Sequence, residues 1–285
     1  MSRIAYVNGS YVLQSDAAVN VEDRGYQLAD GVYEVIAVCD RGLVDCDAHM
    51  DRLQRSLASM RITPPSSRAN IVRVMERIVR RNHIRAGLIY LQVTRGVAPR
   101  NHAFPTDEVE SSLVITGKHR PAPSEEAVAR GARIITLLDT RWSRPDIKTI
   151  SLLPNVLAKQ QAVEAGAFET WFTDEKGLVT EGSSTNAWIV TDGQEIVTRP
   201  LGQELLAGIT RQTVLTVARA NNLRVTERAF SVSEAKMAKE AFLTSTTAFV
   251  MPVVSIDDTP VNTGEPGSVT LQLLDAYRRH IALNR

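Results

Sequence analysis

Short β-branched runs and helix-period runs alternate along this chain without the strict strand–helix–strand rhythm of a doubly wound sheet, and that irregular alternation narrows the fold more than any other feature. Residues 4–7 and 11–13 flank Asn8-Gly9, a dipeptide suited to the positive φ of a tight hairpin. Residues 31–38 read as a strand, turned by Arg41-Gly42 into a second at 43–46. Met50, Leu53, Leu57 and Met60 then recur at helical spacing, with Asp47 as the expected N-cap and Pro64-Pro65 as the stop. A second helix is predicted over 67–82, followed by strands at 88–94 and 113–116. Gly117 to Ser124, with two prolines and no apolar periodicity, reads as a linker. Beyond it the pattern predicts strands at 133–138, 170–173, 178–180, 187–190 and 241–245, and helices at 153–165, 209–220 and 270–283. The expectation is an α+β fold with a smaller N-terminal domain (1–117), a linker (118–124) and a larger C-terminal domain (125–285).

Charge excludes some functions. The 33 basic and 32 acidic side chains leave +1, which argues against a nucleic-acid face built on bulk charge. Cys39 and Cys46 make no disulfide framework, and the five histidines show no metal-ligand spacing. The opening residues lack the apolar stretch of a leader and no run reaches about 18 apolar residues, so a cytoplasmic location without a membrane partner is expected. Neither G-x-S-x-G nor G-x-G-x-x-G occurs.

Three weaker signals remain. Gly208-Ile209-Thr210 opens a helix and reads either as ordinary capping or as a cradle in which free backbone N–H groups meet a phosphate. Ser245-Thr246-Thr247, in a run of hydroxyls ending a strand, would complete such a cradle. Of only six lysines, Lys148 lies between Ile147 and Ile150 in the least polar surroundings. Desolvation there would favour the neutral, nucleophilic amine; the alternative is a lysine whose stem merely covers the core. Glu181, among small neutral residues, is either a loop acid or the partner of a protonated ring nitrogen.

Taken in order, the strings Asp23-Arg24-Gly25-Tyr26-Gln27, Asp30-Gly31-Val32-Tyr33-Glu34, His49-Met50-Asp51-Arg52-Leu53, Asp146-Ile147-Lys148, Glu181-Gly182-Ser183-Ser184-Thr185-Asn186, Gly208-Ile209-Thr210-Arg211 and Ser245-Thr246-Thr247 resemble the fold-type IV pyridoxal-phosphate enzymes, most closely the D-amino-acid aminotransferases. The resemblance implies a two-domain α+β enzyme whose C-terminal domain holds a barrel-like mixed sheet. It also implies pyridoxal 5'-phosphate held as a Schiff base by Lys148, which shuttles the substrate proton. By similarity Glu181 meets the pyridine nitrogen, and Arg52, Ile209, Thr210 and Thr246 hold the phosphate. Leu206 packs on the ring and Ser184 supports its polar side.

The string Arg95-Gly96-Val97-Ala98-Pro99-Arg100-Asn101-His102 resembles the loop with which that family holds a substrate α-carboxylate. In the family the arginine and histidine, here Arg100 and His102, reach in from a second subunit, while the residue matching Tyr33 comes from the cofactor's own subunit. A homodimer with shared active sites follows as an expectation. The implied substrates are a D-amino acid such as D-alanine and a 2-oxo acid such as 2-oxoglutarate. Alternatives on the same scaffold are a branched-chain L-amino-acid or (R)-amine transaminase and an aminodeoxychorismate lyase. Departures occur at Leu28-Ala29, where the family tends to carry Phe-Gly, and at Pro154, where it tends to carry Gly.

Overall fold

The computed structural model describes residues 3–283. The chain forms two compact units, residues 3–121 together with Ile147–Ser151, and residues 122–146 together with Leu152–Leu283. In the first, Ile4–Val7 (β1) and Ser10–Leu13 (β2) form the expected hairpin, with Asn8 and Gly9 at positive φ. Arg24–Leu28 (α1) leads into Gly31–Cys39 (β3), Gly42–Leu43 (β4), Cys46–Met60 (α2), Arg68–Arg81 (α3), Ala86–Thr94 (β5) and Ser112–His119 (β6). The six strands make one antiparallel sheet in the order β2-β1-β6-β5-β3-β4. Ile36, Ile89, Leu91 and Ile115 from the sheet pack with Leu53 and Leu57 of α2 and Ile71, Met75 and Ile78 of α3. That is the face the i, i+3, i+4 spacing of both helices anticipates.

Two boundaries differ from the sequence reading. The strand expected at 43–46 shrinks to Gly42–Leu43, and α2 begins at Cys46 behind Asp45, so Asp47 lies inside the first turn rather than at the cap. Asp40, Arg41 and Asp45 all adopt positive φ, which turns the chain twice and leaves little room for a strand. Strand β6 runs on through Lys118 and His119, which pair with Leu88 and Gly87, so polar residues read as linker are ladder partners.

The second unit contains Glu125–Arg130 (α4), Ala132–Leu138 (β7), Leu153–Glu164 (α5), Glu169–Thr173 (β8), Val179–Gly182 (β9), Asn186–Val190 (β10), Ile196–Thr198 (β11), Ile209–Ala220 (α6), Val225–Glu227 (β12), Val232–Lys236 (α7), Glu240–Ser245 (β13), Phe249–Ile256 (β14), Thr259–Pro260 (β15) and Ser268–Leu283 (α8). Its mixed sheet runs β12-β11-β10-β13-β14-β7-β8-β9, with β15 beside β14. Three of the pairings are parallel: β11 with β12, β14 with β7, and β7 with β8. Strand β9 ends this order, yet only three residues join it to β10, with Gly182 N donating to Thr185 O at 2.6 Å. So short a link brings the edge strand back beside an interior one, and the sheet therefore curls in the barrel-like manner expected. Trp188 stacks on Phe242 at 5.3 Å and donates to Thr244 Oγ1 at 2.9 Å inside it. No helix among the described residues is long and apolar enough to cross a membrane.

Candidate active site

Lys148 sits on the irregular segment Ile147–Ser151, which pairs against the start of β3. Its carbonyl accepts from Tyr33 N at 3.0 Å, its N–H donates to Ser56 Oγ at 3.3 Å, and Ile150 N donates to Gly31 O at 3.1 Å. The backbone of the lysine is thus fixed between a strand and α2. The half-buried side chain carries Nζ to 4.3 Å from the centroid of the Tyr33 ring, a cation–π distance. Of the other lysines, Lys159 bonds the Phe168 carbonyl, Lys236 pairs with Asp257 at 3.0 Å, Lys118 and Lys176 are exposed, and Lys239 is half-buried. Tyr33 stacks on Tyr90 at 5.7 Å, and Tyr90 in turn donates to Gln92 Oε1 at 2.6 Å.

Adjacent strand residues point to opposite faces, so Glu34 turns away from Tyr33 and toward α2. There Arg52 donates from Nε to Glu34 Oε1 and from Nη2 to Glu34 Oε2, both at 2.8 Å, and His49 Nδ1 lies 2.8 Å from Oε2. All three side chains are buried. Burial alone would raise the Glu34 carboxyl, but the Arg52 charge and the two hydrogen-bond partners outweigh it and pull the pKa down to about 2. The His49 pKa is lowered as well, for a different reason: burial favours its neutral form and outweighs the opposing pull of Glu34. The ionised acid therefore accepts from a neutral His49 that carries its proton on Nδ1. The result is an Arg52 fork fixed in plane along its Nε–Nη2 edge.

The Arg100–His102 segment departs from the extended form that would align its side chains. Residues 100–103 bend after Pro99, and Asn101 Oδ1 accepts from Ala103 N at 3.1 Å in a local turn. Arg100 and His102 are both exposed.

In the second unit Glu181, at the end of β9, is 4% exposed although it carries a carboxylate. Arg141 Nη1 donates to Oε1 at 2.6 Å, while Asn186 Nδ2 and the Leu206 N–H each donate to Oε2 at 3.1 Å. Arg141 is locked from its other side by Asp139, at 2.9 Å from Nε and 2.7 Å from Nη2. Burial disfavours the Arg141 charge, but Asp139 and Glu181 more than restore it. Asn186 also donates to the Leu206 carbonyl at 3.1 Å and so ties Glu181 to the approach to α6. Gly208 caps that helix with no side-chain bond, and the first turn contains no acid. A Cβ on Gly208 would lie 2.0 Å from Asn186 Oδ1, so only glycine permits this approach. Ile209 and Thr210 are buried in the first turn, and Thr246 is half-buried in the turn after β13. Ser184 is exposed and donates to Glu169 Oε2 at 2.9 Å, while Ser183 bonds the other oxygen of that fully buried acid.

Residues 31–256 match the family described as Amino-transferase class IV. The chain belongs to the class IV aminotransferases. Among curated relatives, this aminotransferase is 39% identical to D-alanine aminotransferase of Staphylococcus aureus over 277 residues, covering 97% of both chains. It is 40% identical to D-alanine aminotransferase of Bacillus licheniformis over 274 residues, covering 96% of this chain and 95% of that one. Among solved structures, a branched-chain amino acid aminotransferase of T.th. with pyridoxamine 5'-phosphate superposes with a TM-score of 0.91 at 28% identity, covering 100% of this chain and 96% of the other. The branched-chain amino acid aminotransferase of Escherichia coli shares the fold, with a TM-score of 0.88 at 23% identity, covering 99% and 95%.

Sequence reasoning assigned no role to Glu34, His49, Asp139, Arg141, Glu169 or Asn186. His49 and Arg52 had a legible signal, since they stand at i, i+3 on the apolar face of α2, where a charged pair needs a buried partner. Arg141 had none: it lies 40 residues from Glu181.

Proposed function

We propose that this aminotransferase moves the amino group of a D-amino acid, such as D-alanine, to a 2-oxo acid, such as 2-oxoglutarate, using pyridoxal 5'-phosphate. The observation that carries the reading is Lys148, a backbone-pinned, half-buried amine held over Tyr33 with no carboxylate paired to it among the described residues. Preference for D-amino acids is supported by the D-alanine aminotransferases at 37–40% identity and by the Arg100-x-His102 string.

The chain's donors fit that cofactor. Gly208 opens α6 with no side-chain bond at the cap and no acid in the first turn, which suits a phosphate held by Ile209 and Thr210. The fixed fork of Arg52 and the hydroxyl of Thr246 suit the same group. Leu206 supplies an apolar contact for the ring. The proton of Ser184 is committed to Glu169, so its hydroxyl offers a lone pair. When bound, the cofactor supplies an electrophilic carbon for the amine and a sink for the electron pair released at Cα.

Each protein group then has a task. Lys148 holds the cofactor covalently and, once displaced by substrate, moves the Cα proton. Glu181 receives the proton-bearing pyridine nitrogen; with Arg141 and Asn186 fixing its oxygens, it keeps that proton in place. Arg100 and His102 pin the α-carboxylate, two N–H bonds from the guanidinium and one from the imidazole, and together with Tyr33 choose which face of the substrate meets Lys148. A homodimer is part of the reading.

A panel of D- and L-amino acids with 2-oxoglutarate and chiral analysis of the products tests the proposal. Transfer from D-alanine is expected. Transfer from L-amino acids alone would instead favour the branched-chain reading, to which the superposition at TM-score 0.91 lends its weight. Pyruvate release from aminodeoxychorismate without an acceptor would point to a lyase. Borohydride trapping and peptide mapping should place a pyridoxyl group on Lys148; a tag elsewhere rejects the assignment.

A further inference from the structure

The segment Asp23-Arg24-Gly25, with Asp30 and Arg95, forms a buried charged cluster that the chemistry above leaves without a task. One carboxylate serves two guanidinium groups. Arg95 donates to Asp30 from Nε at 2.7 Å and from Nη2 at 3.0 Å, and Arg24 donates from Nε at 2.8 Å. Burial opposes the ionised form of Asp30, but Arg95 and Arg24 outweigh it and hold the carboxyl below its usual range. The second positive charge is met by dipoles. Arg95 donates to the Met60 and Arg61 carbonyls, each at 2.8 Å, at the C-terminal end of α2, and its guanidinium lies 3.7 Å from the centroid of the Phe104 ring.

Every element of this cluster touches the loop that leaves β5. Arg24 N donates to Gly96 O at 2.9 Å, Asp23 bridges to Val97, and Ala98 N donates to Glu22 O at 3.3 Å. Thr94 Oγ1 donates to Asp23 Oδ2 at 3.0 Å, and a Cβ on Gly25 would lie 2.1 Å from Thr94 Cγ2, so glycine alone allows the approach. Farther along, Arg24 Nη1 donates to the Asn101 carbonyl at 2.6 Å, and Phe104 is covered by Arg95 with Arg61 at 4.7 Å. The loop is therefore pinned at 96, 97, 98, 101 and 104, while the two residues flanking Asn101, Arg100 and His102, project into solvent.

We propose that Arg24, with the Asp30–Arg95 pair, is a positioning residue that clasps this loop so that Arg100 and His102 are already aimed at a substrate carboxylate. This rests on the reading of the loop as the carboxylate-binding one. Ordering an exposed backbone residue costs conformational entropy, and a loop ordered in advance spares substrate binding that cost.

The test is Arg24→Lys in the holoenzyme. An ammonium can keep Asp30 but cannot also span to Asn101. The expected result is a rise of about tenfold or more in KM for D-alanine, with kcat and the rate for D-alaninol, which lacks the carboxylate, held within about twofold. Amide exchange at Ala103 should quicken. Unchanged KM with unchanged exchange overturns the proposal, as does an equal loss with D-alaninol, which would mark a general structural role. If Arg24→Lys does not fold, Phe104→Ala, which removes the partly exposed ring under Arg95, decides instead: faster loop exchange and a higher KM support the clasp, and the absence of both overturns it. Should the wild-type enzyme fail to use D-alanine, the functional reading falls, and exchange at Ala103 alone judges whether Arg24 holds the loop.

Discussion

Glu34 shows how a single buried carboxylate sets the geometry of a candidate cofactor ligand. Its pKa is depressed from 4.5 to about 2, so its contribution to stability is complete above about 4.5 and is lost as pH falls through about 2. Glu34→Gln leaves Arg52 buried without its counter-charge and should cost roughly 3–5 kcal/mol at pH 7. Urea unfolding at a series of pH values should show that deficit narrowing between about 4.5 and about 2, as the wild-type acid protonates; a pH-independent deficit contradicts the ion pair. Ala29 gives a second test at this scale. It closes α1 with φ 54°, in the left-handed region that favours glycine. Ala29→Gly should raise stability by about 0.5–1 kcal/mol, read as a higher urea midpoint with unchanged slope, because the strain relieved exceeds the added freedom of the unfolded chain. Lys148→Ala should abolish multiple turnover while the fold persists; steady-state transamination by that variant means another amine is responsible.

At the scale of elements, α6 is the clearest case of a legible boundary. Its sequence limits, 209–220, coincide with the helix, because Gly208 before it and Asn221-Asn222 after it are local signals. Its working detail was hidden, since the constraint on Gly208 comes from Asn186, a residue on β10. Gly208→Ala should displace the Asn186 amide and weaken pyridoxal-phosphate affinity by about tenfold, measured by fluorescence titration of the apoenzyme; unchanged affinity removes α6 from the phosphate site. Strand β6 illustrates the opposite limit. Lys118 and His119 look like linker because they are polar and exposed, yet their backbones complete the ladder with Leu88 and Gly87. Polarity reports which way a side chain faces, and the main chain pairs regardless.

For the whole molecule, α5 bears on the proposed homodimer. Its small residues Ala158 and Ala162 are buried, while Leu153, Val156, Leu157 and Val163 stand exposed. An apolar helix face turned to solvent is what an association surface presents. Sedimentation analysis should find a dimer, and Val156→Glu with Leu157→Glu should shift it toward monomer; a wild-type monomer refutes the homodimer.

The sequence by itself settled the α+β class and most strands and helices of the first unit, because each depends on residues a few positions apart, and it singled out Lys148 as a candidate. It also carried the family, through short strings kept in order. The tertiary structure alone decided which polar groups meet: Glu34 with His49 and Arg52 across 15 and 18 residues, Arg141 with Glu181 across 40, and Arg24 with the Asn101 carbonyl across 77. Periodicity specifies the face a side chain takes on its own strand or helix. Which face it meets is fixed only when strands take their register and helices pack, and burial then makes every unmatched charge too costly to keep.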